Sequence, residues 1–212
     1  MQRGRFITFE GGEGTGKSTQ ARILAERLAA SGLQVVPTRE PGGSPGAEAI
    51  RALALNGAAD RWSPVSETLL MYAARADHLE RLIRPSLAVG AWVICDRFYD
   101  STRAYQGAGG GAPVALLDLL QSEVAGDDRP DLTLVLDVTV EQGLARAASR
   151  DALDRFESMD RDFHERLRQG FLAIAAAEPD RCVVAPAAGS VDEVAALVWR
   201  AVEERLAVGV MR

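Results

Sequence analysis

The chain has 212 residues, 47% hydrophobic and 25% charged, with a formal net charge of −6. This is the composition of an ordinary globular protein, and the length suits one domain over residues 1–212. The acidic balance argues against a general nucleic-acid binder, and no apolar run reaches membrane-spanning length.

A strand is read at residues 6–10, close enough to the first residue that no secretory signal is expected and the cytoplasm is the expected compartment. Directly after it comes Gly11-Gly12-Glu13-Gly14-Thr15-Gly16-Lys17-Ser18, which fits Gly, four residues, Gly-Lys-Ser. A helix is read at 17–31, with Ala21, Leu24, Ala25 and Leu28 on one face. Strand, glycine loop and helix together predict a phosphate cradle. The glycines let backbone N–H groups converge on an anion, and the helix N-terminus adds partial positive charge. Lys17 supplies a mobile ammonium, and the Ser18 hydroxyl suits Mg²⁺. Lys17 is the only lysine in the chain, which otherwise uses arginine. A compact point charge is kept where the phosphates would sit.

Further strands are read at 34–38, 92–96, 132–137 and 182–185, each short and apolar enough to be buried on both faces. Helical patterns at 63–89, 113–125, 140–150, 158–177 and in the C-terminal segment alternate with them. Leu69, Tyr72, Leu79, Leu82, Ile83 and Leu87 are the packing positions of the first, with Ser63-Pro64 as its start signal. Val191, Val194, Val198, Ala201 and Val202 form the packing side of the last. The glycines of 107–111 read as a flexible cluster, and 126–130 as a polar turn. This alternation predicts an α/β fold: a five-stranded parallel sheet covered by helices on both faces, with ligands at the carboxyl ends of the strands. Cys95 and Cys182 read as buried thiols on separate strands, and zinc is not expected.

Polar residues collect at those strand ends. Asp96 closes its strand and is placed to hold Mg²⁺, and Arg97 beside it favours a second anion. Thr38-Arg39-Glu40-Pro41-Gly42-Gly43 presents Arg39 on a stiff turn, as a phosphate-gripping guanidinium would need. Residues 145–157 carry Arg146, Arg150 and Arg155 among Asp151, Asp154 and Glu157. They read equally as a solvated face or as cations that close over a phosphate. Glu13 is anomalous, since a carboxylate in a phosphate loop needs a ligand group of its own. His78 and His164 lack triad-like company and read as surface or packing residues; Met71, Trp62 and Trp199 read as core or interface.

In order along the chain, the glycine loop, the Arg39-Glu40-Pro41-Gly42-Gly43 turn, Tyr72-Ala73-Ala74-Arg75, Asp96-Arg97-Phe98 with Ser101-Thr102-Arg103-Ala104-Tyr105-Gln106, and Asp154-Arg155-Phe156-Glu157 resemble the bacterial thymidylate kinases, P-loop nucleoside monophosphate kinases. The resemblance implies transfer of the ATP γ-phosphoryl group to dTMP with Mg²⁺ at Ser18 and Asp96, and a homodimer. The loop from Gly11 to Ser18, with Thr19 and Arg146, would hold ATP. Glu13 would hold the sugar 3′-hydroxyl, Arg39 and Arg97 the dTMP phosphate, and Arg75 the thymine O4. Thr102 would face the base edge, Tyr105 would crowd the 2′ position, and Ser101 and Gln106 would complete the dTMP side. Arg150 matches the lid arginine of the subtype with no basic residue at the loop position that Thr15 fills here, in a lid at about 146–157. Lys17, Asp96, Arg97 and Arg150 form the catalytic set. The chain departs from the family in having Met71 where a phenylalanine usually stacks on thymine, and Ala185-Pro186 where Asp-Ala is common. Rival readings are another nucleoside monophosphate or deoxynucleoside kinase, or a P-loop ATPase switch; an Asn-Lys-x-Asp guanine motif is excluded because the single lysine is already used.

Overall fold

The computed structural model describes residues 3–58, 60–148, 155–156 and 158–208. In chain order the elements are β1 (Phe6–Glu10), α1 (Lys17–Ala30), β2 (Val35–Arg39), α2 (Pro45–Leu55), α3 (Pro64–His78) and α4 (Arg84–Ala88). There follow β3 (Trp92–Asp96), α5 (Tyr99–Thr102), α6 (Val114–Leu120), β4 (Leu132–Asp137), α7 (Val140–Ala147), α8 (Arg161–Ala177), β5 (Cys182–Pro186) and α9 (Val191–Leu206). The strands form one parallel sheet in the order β2-β3-β1-β4-β5. The order reverses at β1, so the glycine loop leaves the sheet at the switch point where α/β folds bind ligands.

Period-two alternation sorts the two cores. Ile7, Phe9, Ile94, Leu132, Leu134 and Leu136 face α1 and α9, meeting Leu24, Leu28, Val198 and Val202. Phe6, Val93 and Cys95 face the other way, against Leu79, Ile83 and Leu87. Val135 meets Phe163, Leu167 and Phe171 of α8 on that same side. Two buried hydroxyls in register, Thr8 and Thr133, satisfy each other at 2.9 Å. Cys95 and Cys182 are buried free thiols on separate strands, as expected.

Several boundaries and packing positions differ from expectation. β2 and β5 are edge strands and half exposed, which is why β2 tolerates Pro37. The helical run at 63–89 changes pitch through a π-helical turn at Leu79–Ile83. Pro85 lacks the N–H that an unbroken α-helix would use, and the widened turn lies directly before it. Ser63 caps this run as its sequence signals, accepting from the Ser66 N–H. Leu69 and Val191 are 48% and 52% exposed, because the faces that carry them point away from the sheet. Residues 107–109 continue a π-helical segment (Arg103–Gly109) against α8, where a side chain on Gly109 would strike Phe163. α2 has no counterpart in the sequence reading. Arg150, Asp151, Asp154 and Glu157 lie outside the described residues. Among the described residues no helix is long and apolar enough to cross a membrane.

Candidate active site

Strand register assembles the site. β1 pairs Phe9 with Asp96 on β3, and β2 pairs Arg39 with the same Asp96, so the strand ends beside the glycine loop share one level. The loop is packed backbone to backbone against α7. Gly14 has φ 65°, and a Cβ there would lie 1.9 Å from the Gly143 carbonyl oxygen. Only glycine fits both that conformation and that approach. Gly16 precedes α1 in a left-handed conformation, which opens the helix N-terminus toward the cavity in front of it.

Lys17 folds over this loop. Its Nζ donates to the Gly12 carbonyl at 2.6 Å and to Thr15 Oγ1 at 3.2 Å. Burial, and then the Arg97 charge, pull its pKa down to about 8, against the pull of Glu13, Asp96 and Glu10. Ser18 Oγ donates to Asp96 Oδ2, while Asp96 Oδ1 is buried without a hydrogen-bond partner. A hydroxyl beside an unspent carboxylate oxygen is a hard, all-oxygen donor set of the kind Mg²⁺ takes. Lys17, Ser18, Thr19, Arg39, Asp96 and Arg97 line one cavity of about 400 Å³, together with Gly14 and Gly16.

Arg97 is the hinge of the site. It sits at φ 72°, a conformation that costs a non-glycine residue about 1 kcal/mol or more. The strain turns its guanidinium back over the loop. One nitrogen donates to the Gly11 carbonyl at 3.0 Å and to Ser101 Oγ at 3.3 Å; the other donates to Glu13 Oε1 at 3.0 Å. Tyr105 donates its hydroxyl to the same Glu13 oxygen and lies under the guanidinium, 4.8 Å from it. Burial alone would raise the Glu13 pKa, but Arg97, Lys17 and the Tyr105 hydrogen bond bring it down to about 2. Behind Arg97, the fully buried Glu10 accepts the Phe98 N–H at 2.8 Å and the Ser101 hydroxyl at 2.6 Å. Burial and the Asp100 charge push Glu10 up to about 8.

A second cavity adjoins the first and shares Glu13, Glu40, Arg51 and Arg97 with it. Met71, Arg75, Thr102 and Gln106 line it, with Ser101 and Tyr105 near the junction. Arg75 is 2% exposed; Nε donates to Glu40 Oε2 at 2.8 Å and one terminal nitrogen to Thr102 Oγ1 at 3.0 Å. Its other terminal nitrogen is buried with no partner. Gln106 is held by Glu67 at 2.7 Å, and Arg155 pairs with that same Glu67. Arg155 is therefore turned inward and not on a solvated face, and it is not among the residues that line the cavity in front of the glycine loop.

Arg39 is 53% exposed and rests on Glu48 at 3.0 and 3.1 Å. Arg146 lies apart from both cavities and donates to the carbonyls of Ala187 and Ala188, the loop expected beside it. Glu10, Glu40, Arg51 and Phe156 are site residues that sequence reasoning missed. Glu10 looked like a strand end. Arg51 lies on the unread α2, where it donates to the Pro41 carbonyl at 2.8 Å. Phe156 packs edge-on against Tyr105 at 5.1 Å. His78 and His164 are both buried.

The family pattern described as "Thymidylate kinase" matches residues 9–198 of this chain. The chain belongs to the thymidylate kinase family. It is 63% identical to the thymidylate kinase of Caulobacter vibrioides over 206 residues, 97% of this chain and 99% of that relative. It is 56% identical to that of Nitrobacter winogradskyi, over 96% of this chain and 90% of the relative. A crystal structure of thymidylate kinase from Ehrlichia chaffeensis superposes with a TM-score of 0.79 at 36% identity, covering 94% of this chain and 99% of that one. On this thymidylate kinase scaffold, then, a lysine-bearing phosphate loop opens directly onto a pocket whose wall holds a buried guanidinium with a nitrogen to spare.

Proposed function

We infer that this protein transfers the γ-phosphoryl group of ATP to the phosphate of dTMP, giving ADP and dTDP. The observation that carries this reading is the continuity of the two cavities through Glu13 and Arg97. A donor triphosphate on the loop and an acceptor nucleotide in the pocket would meet at that junction, with Arg75, whose second terminal nitrogen has no hydrogen bond, in the wall beside the base.

The acceptor needs no general base, because a phosphate monoester loses its second proton near pH 6. The chain's task is to position two anions and spread their charge. Lys17 would leave Gly12 for the transferring phosphoryl group, and loop N–H groups would hold the remaining phosphates. Arg97 and Arg39 would take the acceptor phosphate, Arg39 by exchanging Glu48 for it. Glu13, kept ionised by Arg97 and Tyr105, would accept from the sugar 3′-hydroxyl. Tyr105, braced by Phe156, would crowd a 2′-hydroxyl. Met71 would cover the thymine face through its thioether. Ser18 and Asp96 would hold Mg²⁺, which when bound neutralises developing charge on the phosphate oxygens. Among the described residues no three His, Cys, Asp or Glu side chains group into a metal cage, so phosphate oxygens and water would complete its shell. Arg150 would bring the cation that Thr15 does not supply, and Arg146 would lie near the adenine.

The exposed apolar side chains Leu53 on α2 and Val65 and Leu69 on α3 support a homodimer through these helices. Light scattering in solution tests it, with a monomer refuting it. The cytoplasm is the compartment this reading implies. The activity is tested with a panel of nucleoside monophosphates and ATP, with Lys17→Ala as control. Preference for dTMP by at least tenfold is expected. Equal use of several acceptors, or hydrolysis without any acceptor, would reject the assignment.

A further inference from the structure

His78 and Arg75 lie three residues apart on one face of α3, and both side chains are buried. They meet the same carboxylate from two sides. Glu40 Oε2 accepts from Arg75 Nε at 2.8 Å, and Oε1 from His78 Nδ1 at 3.1 Å. A carboxylate only accepts, so Nδ1 carries a proton. The far side of the ring is fixed as well, with Nε2 2.8 Å from Thr38 Oγ1. The Glu40 backbone is tied to the sheet, its N–H donating to the Asp96 carbonyl at 2.9 Å. Gly43 closes over the chain. It has φ 84°, and a Cβ there would come within 2.4 Å of His78 Nε2 and 2.5 Å of Thr38 Oγ1. The result is a buried line from Thr38 through His78 and Glu40 to Arg75. It ends at Arg75, which lines the second cavity and whose second terminal nitrogen is buried without a hydrogen bond.

We propose that His78 is a positioning residue for base choice: it fixes Glu40, and through Glu40 aims Arg75 at the acceptor base. This rests on the reading of the second cavity as the base pocket. An arginine nitrogen can only donate. Aimed firmly, it accepts a pyrimidine with a 4-oxo group and rejects one with a 4-amino group, since two donors would face each other in a dry pocket. Without His78 the Arg75–Glu40 pair persists, but the carboxylate is free to turn and the aim loosens. Discrimination should then fall before catalysis does.

The test compares kcat/KM for dTMP and dCMP at saturating ATP. Arg75→Gln should cut the dTMP:dCMP ratio by about 10-fold to 100-fold, as loss of a charged hydrogen bond does. His78→Ala should cut it by about tenfold, mainly through KM for dTMP, with kcat and KM for ATP within about twofold. His78→Asn, whose amide can take the place of Nδ1–H toward Glu40, should restore most of the ratio. His78→Gln, which reaches toward Thr38 instead, should not. A role in packing alone would lower the melting temperature and leave the ratio untouched, and that result overturns the proposal. If Arg75→Gln lowers the ratio and His78→Ala does not, the base pocket stands and the role of His78 falls. If neither changes it, the base-pocket reading fails and the proposal with it. Should His78→Ala not fold, Thr38→Val, which removes only the hydroxyl behind Nε2, is read by the same ratio and criteria.

Discussion

Replacing Glu13 with glutamine tests whether the loop carboxylate is held ionised by its neighbours. In the folded chain its pKa is about 2, against an ordinary value of 4.5. At about 1.4 kcal/mol per pH unit this difference corresponds to about 3 kcal/mol of stability at neutral pH. Because the folded pKa is depressed, that contribution is present above pH 4.5 and is lost as pH falls toward 2. Glu13→Gln keeps the shape and removes the ionisation. Its deficit relative to the parent should therefore be about 3 kcal/mol at pH 7 and shrink by about 1 kcal/mol per pH unit below pH 4. Reading the difference between the two proteins matters. Glu10, with its folded pKa raised to about 8, has the opposite slope and loses its contribution between pH 4.5 and 8. Urea unfolding of both proteins at pH 7, 5, 4 and 3 gives the comparison. A deficit below about 1 kcal/mol at pH 7, or one that stays constant down to pH 3, would show that Arg97 and Tyr105 do not hold the charge.

Glu10→Gln should lose less thermal stability than the parent between pH 5 and pH 9, because the amide has no proton to release; parallel melting curves would contradict the raised pKa. Lys17, pulled down to about 8, should make kcat/KM for ATP decline above that pH, while kcat, which reports the phosphate-bound enzyme, stays flat further up. A level kcat/KM through pH 9.5 would remove that assignment. Met71→Phe should tighten dTMP in a calorimetric titration, since a flat ring covers a base better than a thioether; weaker binding would place Met71 off the base.

The sequence was most legible where the determinants are local. Strand β1, the glycine loop and α1 are set by short-range spacing, and Asp96 is recognisable as the polar end of an apolar strand. Legibility failed where contacts span distance or where contrast is weak. α2 buries only Ala47 and Ala54, and alanine gives a faint apolar stripe; Arg51, which it carries, went unread with it. The line from Thr38 to Arg75 joins residues about 40 apart, brought together by a parallel crossover that no local pattern encodes. Glu10 reads as the last residue of a strand, and only the β3–α5 turn folding back over it reveals a buried carboxylate anchored to Phe98 and Ser101.

An acidic chain that handles phosphates must keep its local cations from repelling one another when no phosphate is bound. Here Arg39, Arg75 and Arg97 each lean on a carboxylate, and burial decides what the pair can do. Arg39 and Glu48 have 53% and 43% of their side-chain surface exposed, so their bond is worth little and would be readily exchanged for a phosphate. Arg75 and Glu40 are 3% and 4% exposed, and parting them would strand a charge in the interior at a cost of about 3–5 kcal/mol. The first pair is suited to release its arginine, the second to hold its arginine still. Arg97 and Glu13, at 17% and 9%, lie between, at the junction where both substrates would press. The same chemical pair is thus suited to act as a movable ligand, a brace or a fixed reader, according to how much water reaches it.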